Sequence, residues 1–155
     1  MKSVFQLIAS VACAFALTAC GSAANEKKDP VIDPATQVKD NKLVYEDLTV
    51  GTGAQAAVGD TLIVTYTGWL YNSGKTDNKG TQFDATKPGA GFSVVLGKGR
   101  VIPGWDQGLV GMKVGGTRRL TIPSDLGYGP NGALPTIPAY AGLVFDISLV
   151  TVTKP

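Results

Sequence analysis

Apolar and polar positions alternate along the chain beyond residue 42 with the period of a β-strand. The clearest case is residues 61–70, where one face carries Leu62, Val64, Tyr66 and Leu70. Successive side chains of a strand point to opposite faces, so this pattern is typical of a strand with one buried face. Four further apolar runs predict strands over residues 43–48, 92–96, 117–123 and 143–152.

One helix is predicted, from about residue 105 to residue 112. Pro103 and Gly104 open it, and apolar residues recur there with helical spacing, at Trp105, Leu109 and Met112. One short helix beside five strands predicts an α+β domain in which the sheet wraps the helix. Strands do not alternate with helices in this pattern, so a nucleotide-binding βαβ fold is disfavoured.

The first 19 residues have the pattern of a signal peptide. Lys2 is the only charge before Glu26, and the apolar run over residues 4–19 is short for a membrane span of about 20 residues. Its end resembles the lipobox of bacterial lipoproteins, in which Cys20 is lipid-modified and becomes the new N-terminus. The alternative is an ordinary signal peptide cleaved near Ala19, with Cys20 incidental.

Residues 20–41 are predicted to be a flexible tether to a domain at residues 42–155. The large apolar residues of this segment are few, and Pro30 and Pro34 interrupt any period. Such a segment buries too little surface to offset its ordering entropy. The lipoprotein resemblance implies a cell-envelope protein that contacts the membrane through the lipid on Cys20 alone. Gly21 in place of Asp after the cysteine favours the outer membrane, facing the periplasm, in a cell with two membranes.

The charged residues and cysteines exclude several function classes. The chain has 14 Lys plus Arg against 12 Asp plus Glu, and a formal charge of +2 spread along the sequence predicts no nucleic-acid partner. It has no His, and its two Cys lie at the N-terminus. A Ser-His-Asp catalytic triad, a Cys-His catalytic dyad and a zinc site are therefore excluded, and we expect neither a metal nor a cofactor.

Several aromatic residues stand beside turn residues, as in Phe83-Asp84, Gly91-Phe92, Gly104-Trp105 and Gly127-Tyr128-Gly129. Side chains at strand ends and loop bases can line a concave site. The other interpretation is a single aromatic-rich core, and composition alone favours that core.

Five segments in order resemble the signature of the FKBP-type peptidyl-prolyl isomerases. They are Val64-Thr65-Tyr66-Thr67-Gly68, Gln82-Phe83-Asp84, Val101-Ile102-Pro103-Gly104-Trp105, Gly127-Tyr128-Gly129 and Leu143-Val144-Phe145-Asp146. The resemblance spans about residues 42–154. It implies a twisted antiparallel half-barrel around one short helix and the cis-trans isomerisation of X-Pro bonds in unfolded or partly folded polypeptides. It also implies inhibition by macrolides of the rapamycin and tacrolimus type.

Carried over residue by residue, the resemblance implies a pocket with Trp105 at its base. The implied wall consists of Tyr66, Phe83, Phe92, Val101, Ile102, Trp105, Tyr128, Ile137 and Phe145. Three residues would act on the substrate or its surroundings: Asp84 by a hydrogen bond to Tyr66 or the ligand rim, and the Ile102 N–H and Tyr128 hydroxyl by meeting substrate carbonyls.

The chain also departs from the small cytosolic members of that family. Its connection over residues 71–82 is longer, Ala133 and Thr136 stand where those proteins often carry His and Ile, and residues 85–91 contain no Arg to pair with Asp84. Two other functions stay open, a proline-segment binding module without turnover and an envelope chaperone that grips clients with residues 71–82. The pattern contains no second domain or dimerisation helix, which predicts a monomer.

Overall fold

A computed structural model describes residues 34–155 of the chain. Within that range it forms six strands and one α-helix: β1 (Val44–Thr49), β2 (Thr61–Tyr71), β3 (Lys79–Ala85), β4 (Phe92–Val95), α1 (Pro103–Gly108), β5 (Thr117–Ile122) and β6 (Leu143–Thr153). Short 3-10 turns lie at Pro34–Thr36, Lys39–Asn41, Thr76–Asn78, Ser124–Leu126 and Gly129–Asn131.

All strand pairs are antiparallel, and the sheet order is β1-β5-β6-β2-β3 with β4 also paired to β2. The two 11-residue strands β2 and β6 pair at the centre. β2 changes its second neighbour along its length, since Thr61–Val64 pairs with β4 and Thr67–Tyr71 with β3. The predicted α+β fold, a twisted antiparallel sheet around one short helix, is confirmed.

The helix lies close against β5 because it presents glycines to that strand. A Cβ on Gly108 would lie 2.7 Å from Leu120 Cδ2, and one on Gly104 would lie 2.5 Å from Ile122 Cγ2. A larger residue at either position would push the helix away from the sheet. This close approach places Trp105 in the core formed by the inner face of the sheet, with only 4% of its surface exposed.

The predicted helix over residues 105–112 is wrong in its bounds, because α1 begins at Pro103 and ends at Gly108. Gly111 has a φ of 81°, a left-handed conformation that no helix continues through. Leu109 and Met112 remain buried, so their apolar spacing reports burial in the turn that follows the helix.

The strand prediction missed β3. Residues 79–82, which start this strand, belong to the long connection that the sequence predicts over residues 71–82. β3 lies at an edge of the sheet and its side chains are mostly exposed or half-buried. A strand held mainly by backbone pairing to one neighbour needs no alternation of apolar residues, and its sequence, KGTQFDA, has none.

Packing of the chain begins before residue 42. Val38 is buried in a small cluster with Tyr71 and Val144, apart from the main core. Backbone bonds also join this segment to the domain, from the Ser73 N–H to the Ala35 carbonyl (2.9 Å) and from the Gly142 N–H to the Thr36 carbonyl (3.0 Å). Residues 34–41 are therefore part of the folded unit rather than of the predicted tether.

The predicted signal peptide at residues 1–19, the predicted lipid site at Cys20 and the rest of the predicted tether lie outside the described residues. Among residues 34–155 no helix combines the length and the apolar character needed to cross a membrane.

Candidate functional site: an aromatic cavity

A cavity of about 400 Å³ opens where the sheet, the helix and two loops meet. β2, β3, β4 and β6 each contribute aromatic side chains, α1 contributes Trp105, and the loops contribute residues 99–102 and Tyr128. The described residues that line it are Tyr66, Phe83, Asp84, Phe92, Gly99, Arg100, Val101, Ile102, Trp105, Tyr128 and Phe145.

Edge-to-face aromatic contacts form the base of the cavity. The Trp105 ring lies 5.0 Å from that of Tyr66 and 5.2 Å from that of Phe145, measured between centroids, and both pairs are nearly perpendicular. Phe83 packs in the same way on Phe145 at 5.5 Å. Such pairs stabilise beyond the area they bury, so the rings at the base hold one another in position.

Gly68 makes room for these rings from behind. It sits in β2, and a Cβ there would lie 2.7 Å from Phe145 Cε1 and 2.8 Å from Phe83 Cζ. The rings of Phe83 and Phe145 therefore occupy the space that a side chain at position 68 would need.

A polar pair forms one side of the cavity. The Tyr66 hydroxyl donates a 2.6 Å hydrogen bond to Asp84 Oδ2, and Asp84 Oδ1 accepts the Ala85 N–H at 2.9 Å. Burial, reinforced by the bond to Asp84 and its charge, raises the pKa of Tyr66 well above its ordinary value. The predicted bond between Asp84 and Tyr66 is present.

Tyr128 lies at the mouth, with 40% of its surface exposed. Burial, and then the charge of Asp84, raises the pKa of the Tyr128 phenol. At neutral pH this hydroxyl is therefore protonated, and among residues 34–155 it has no hydrogen-bond partner. It is a donor placed where a ligand enters.

The loop before the helix is fixed by a side chain of the helix itself. The two carboxylate oxygens of Asp106 accept the N–H groups of Gly97 and Gly99, each at 2.9 Å. Further along, the Ile102 carbonyl accepts the Trp105 N–H at 2.9 Å. The Ile102 N–H donates to no acceptor within residues 34–155, so a backbone donor on the cavity wall stays available.

The structure brings together nine of the ten residues predicted for the pocket, and one is missing from the wall. Ile137 is 4% exposed and belongs to the main core. Its N–H donates to the Ala133 carbonyl at 2.9 Å and its own carbonyl accepts the Ala133 N–H at 2.8 Å. This tight turn accompanies the burial of Ile137 in the core, and Ile137 is not among the described lining residues.

Two lining residues were missed, Gly99 and Arg100. The signal that could have found them is their position directly before Val101, a residue already assigned to the wall. The long connection, by contrast, contributes nothing to the lining, since no residue from 71–82 is among the described lining residues. Asp77 of that connection instead pairs with Arg119 at 3.2 Å, on the sheet.

Residues 53–150 match the family model of the FKBP-type peptidyl-prolyl cis-trans isomerases. The chain belongs to this family. The fold, the cavity and the match agree on the same part of this FKBP-type isomerase, since every described lining residue falls inside the matched range.

Relatives of this FKBP-type isomerase differ in how much of their length it spans. It is 46% identical over 110 residues to an FK506-binding protein of Neisseria meningitidis serogroup B, covering 71% of this chain and 95% of the relative. It is 49% identical over 120 residues to FK506-binding protein 4 of Gibberella zeae, covering 77% of this chain but 23% of that relative. The chain thus spans about a quarter of the fungal protein and nearly all of the bacterial one.

A solved structure shows the same fold. The crystal structure of a peptidyl-prolyl cis-trans isomerase from Pseudomonas syringae pv. tomato matches with a TM-score of 0.61 at 32% sequence identity. The match covers 79% of this chain and 84% of that one.

Proposed function

We propose that this FKBP-type domain accelerates rotation about X-Pro peptide bonds in secreted or cell-envelope polypeptides. The observation that carries the proposal is the aromatic cavity with buried Trp105 at its base. On its wall, the Ile102 N–H and the Tyr128 hydroxyl are donors that have no acceptor within residues 34–155.

Isomerisation of an X-Pro bond requires stabilisation of a twisted amide, which an apolar cavity can provide. Rotating an X-Pro amide costs about 20 kcal/mol because the twisted state loses conjugation. A twisted amide is less polar than a planar one, so an apolar site that fits it stabilises it relative to the ground state. The proline ring would lie on the Trp105 indole, while the Ile102 N–H and the Tyr128 hydroxyl fix the flanking carbonyls.

This mechanism needs no proton transfer. The pKa values of Tyr66 and Tyr128 are both raised, by burial first and then by Asp84, so both phenols keep their protons at neutral pH. Asp84 acts as the acceptor that orients Tyr66 on the wall. Asp84, Ile102 and Tyr128 thus orient groups around a bond that rotates without breaking.

The same cavity would bind macrolides of the rapamycin and tacrolimus type as inhibitors. Relatives that this chain matches over 71–77% of its length carry the name FK506-binding protein. The volume of the cavity is in the usual range of small-molecule sites, about 300–1,000 Å³. A macrolide would compete with the substrate proline for the Trp105 ring.

The proposed setting is the cell envelope, with Cys20 lipidated and the domain facing the periplasm from the outer membrane. The lipobox-like run ending at Cys20 supports this. Residues 34–41 pack on the domain, so the proposed tether is reduced to residues 20–33. A flexible linker of that length holds a domain about 20 Å from the lipid.

A protease-coupled isomerisation assay on a soluble form that starts near Gly21 tests the function. We expect turnover of a short proline peptide, inhibition by rapamycin, and loss of most turnover in Phe83→Ala. Binding of the peptide without turnover would instead indicate a binding module. A protein without turnover that still suppresses client aggregation would indicate a chaperone. If Phe83→Ala keeps that suppression, the chaperone surface lies outside the cavity.

A further inference from the structure

Arg100 differs from the other two arginines of the chain because its side chain has no partner among residues 34–155. Arg118 is bonded to Asp47, and Arg119 to Asp146 and Asp77. The Arg100 guanidinium makes no hydrogen bond or ion pair within residues 34–155, and its side chain is exposed. It is also the basic residue among the described residues that line the cavity.

The backbone that carries Arg100 is fixed, although its head group is unpaired. Gly99, the preceding residue, donates its N–H to Asp106 of α1, and Val101, the following residue, is half-buried and lines the cavity. Arg100 is thus presented at the wall by a short, anchored stretch of loop. A planar guanidinium with five donors binds a carboxylate in a bidentate manner.

The opposite charge on the same wall is already engaged. Asp84 accepts the Tyr66 hydroxyl at one carboxylate oxygen and the Ala85 N–H at the other. The guanidinium donors of Arg100 have no such bonds within the described part of the chain. An acidic side chain next to a bound proline would therefore have the unpaired guanidinium of Arg100 as its partner. A basic side chain would have only Asp84, whose two oxygens already accept hydrogen bonds.

We propose that Arg100 determines specificity at this cavity by binding an acidic side chain that flanks the proline, so that substrates with Glu or Asp beside proline are preferred. The proposal rests on the proposed isomerase function and names its preferred substrate class. The aromatic base cannot supply this selection, because its rings carry no charge to distinguish one flanking residue from another. Arg100 is a specificity residue and does not touch the rotating bond.

The test compares capped peptides that differ only at the residue before or after proline, with Glu, Gln or Lys there, on the full chain. Exposed ion pairs are worth little, so we expect kcat/KM for Glu to exceed that for Gln by about two- to fivefold at one of the two positions. The gain should appear in KM, since the contact is made equally in the ground and transition states. It should shrink in 0.5 M salt, where the Debye length is about 4 Å.

Two variants and a matched control separate Arg100 from the general charge of the loop. Arg100→Gln should bring the Glu/Gln ratio to about one, and Arg100→Glu should make Lys the preferred residue. Lys98 is an exposed cation two residues earlier that does not line the cavity, so Lys98→Gln should leave the ratio unchanged. Thermal melting of each variant checks that it is folded.

A wild-type ratio of one at both positions, with normal turnover of the Gln peptides, would overturn this inference and leave the isomerase function standing. So would a Lys98→Gln variant that loses the ratio as fully as Arg100→Gln does. Turnover of none of the peptides would instead contradict the proposed function. In that case the Kd of the Glu and Gln peptides, followed by Trp fluorescence, decides the role of Arg100 by the same ratios.

Discussion

The Tyr66 hydroxyl and the Asp84 carboxylate are joined by a 2.6 Å hydrogen bond across the β2–β3 pair, at the side of the aromatic cavity. The register pairs Gly68 with Asp84, which places Tyr66 at the diagonal position on the same pair of strands. Thr86 also bonds the Tyr66 backbone in both directions, as acceptor at 3.0 Å and as donor at 2.9 Å. Because the Tyr66 phenol donates its proton to Asp84, this hydrogen bond orients the Tyr66 ring on the cavity wall.

That arrangement predicts a flat pH profile. Burial first, and Asp84 second, raises the pKa values of Tyr66 and Tyr128, which moves their titration further from neutrality. With no His in the chain, we expect kcat/KM for a proline peptide to be nearly constant from about pH 6 to 8. A bell-shaped profile centred near pH 7 would contradict the mechanism without proton transfer.

Truncating Phe83 should remove activity more than stability. Its half-buried ring packs on Phe145 and lines the cavity, so Phe83→Ala should weaken rapamycin binding and strongly lower turnover. Isomerase rate, macrolide affinity and thermal unfolding measured together check this. A folded Phe83→Ala protein with wild-type turnover and macrolide affinity would place the active pocket elsewhere.

Tyr128→Phe is the milder change at the same cavity. Its ring is partly exposed and its hydroxyl has no protein partner among residues 34–155, so the variant should lose no more than about 1 kcal/mol of stability. Turnover should fall modestly, because one donor to a substrate carbonyl is lost, and by much less than in Phe83→Ala. A larger loss in Tyr128→Phe than in Phe83→Ala would reverse this ranking.

Acid should destabilise the fold through its paired carboxylates. Burial opposes the charge of Asp146, but bonds from Arg119 and Lys79 outweigh burial and lower its pKa, and the Arg118 bond lowers the pKa of Asp47. A lowered folded pKa stabilises the protein above the unfolded value of about 4, and that stabilisation is lost as the pH falls through the folded value.

We therefore expect a constant free energy of unfolding from about pH 5 to 8 and a decline below about pH 4. Urea unfolding at each pH measures it. Asp146→Asn should cost about 2 kcal/mol at pH 7 and should show a shallower decline in acid. Stability that rises between pH 5 and pH 3 in the wild type would contradict this assignment.

The segment before β1 should contribute to stability. Val38 packs against Tyr71 and Val144, so Val38→Ala should cost about 1–2 kcal/mol, whereas Val150→Ala, at a half-exposed position of β6, should cost little. A protein that starts at residue 42 should melt at a lower temperature than one that starts at residue 34. Equal melting temperatures would show that residues 34–41 add nothing to the fold.

The anchor is tested at Cys20. If Cys20 carries the lipid, Cys20→Ala should leave the protein unlipidated and free of the membrane fraction, as shown by fractionation and mass spectrometry. The melting temperature of the domain should not change, because its described packing begins at Pro34. A variant that fractionates with membranes and carries the same added mass as the wild type would contradict the lipobox prediction.

The sequence determined the elements that carry an alternating apolar face and the residues of the cavity that lie in short ordered motifs. β2 and β6 are recognisable because one face of each is buried, and Trp105 follows Pro103 and Gly104, which open a helix. The strand signals are local, since a strand with one buried face has apolar residues at every second position. The resemblance to FKBP-type isomerases adds Tyr66, Phe83 and Phe145.

Tertiary structure decided the features that depend on residues distant in sequence. β3 is polar and is held by backbone pairing to β2 at the sheet edge, so no apolar period marks it. Val38 is buried only because Tyr71 and Val144 converge beneath it. Ile137 is in the core because its turn closes on Ala133. Arg100 reaches the wall because Asp106 anchors the loop before it, and contacts of this kind leave no pattern in a sequence.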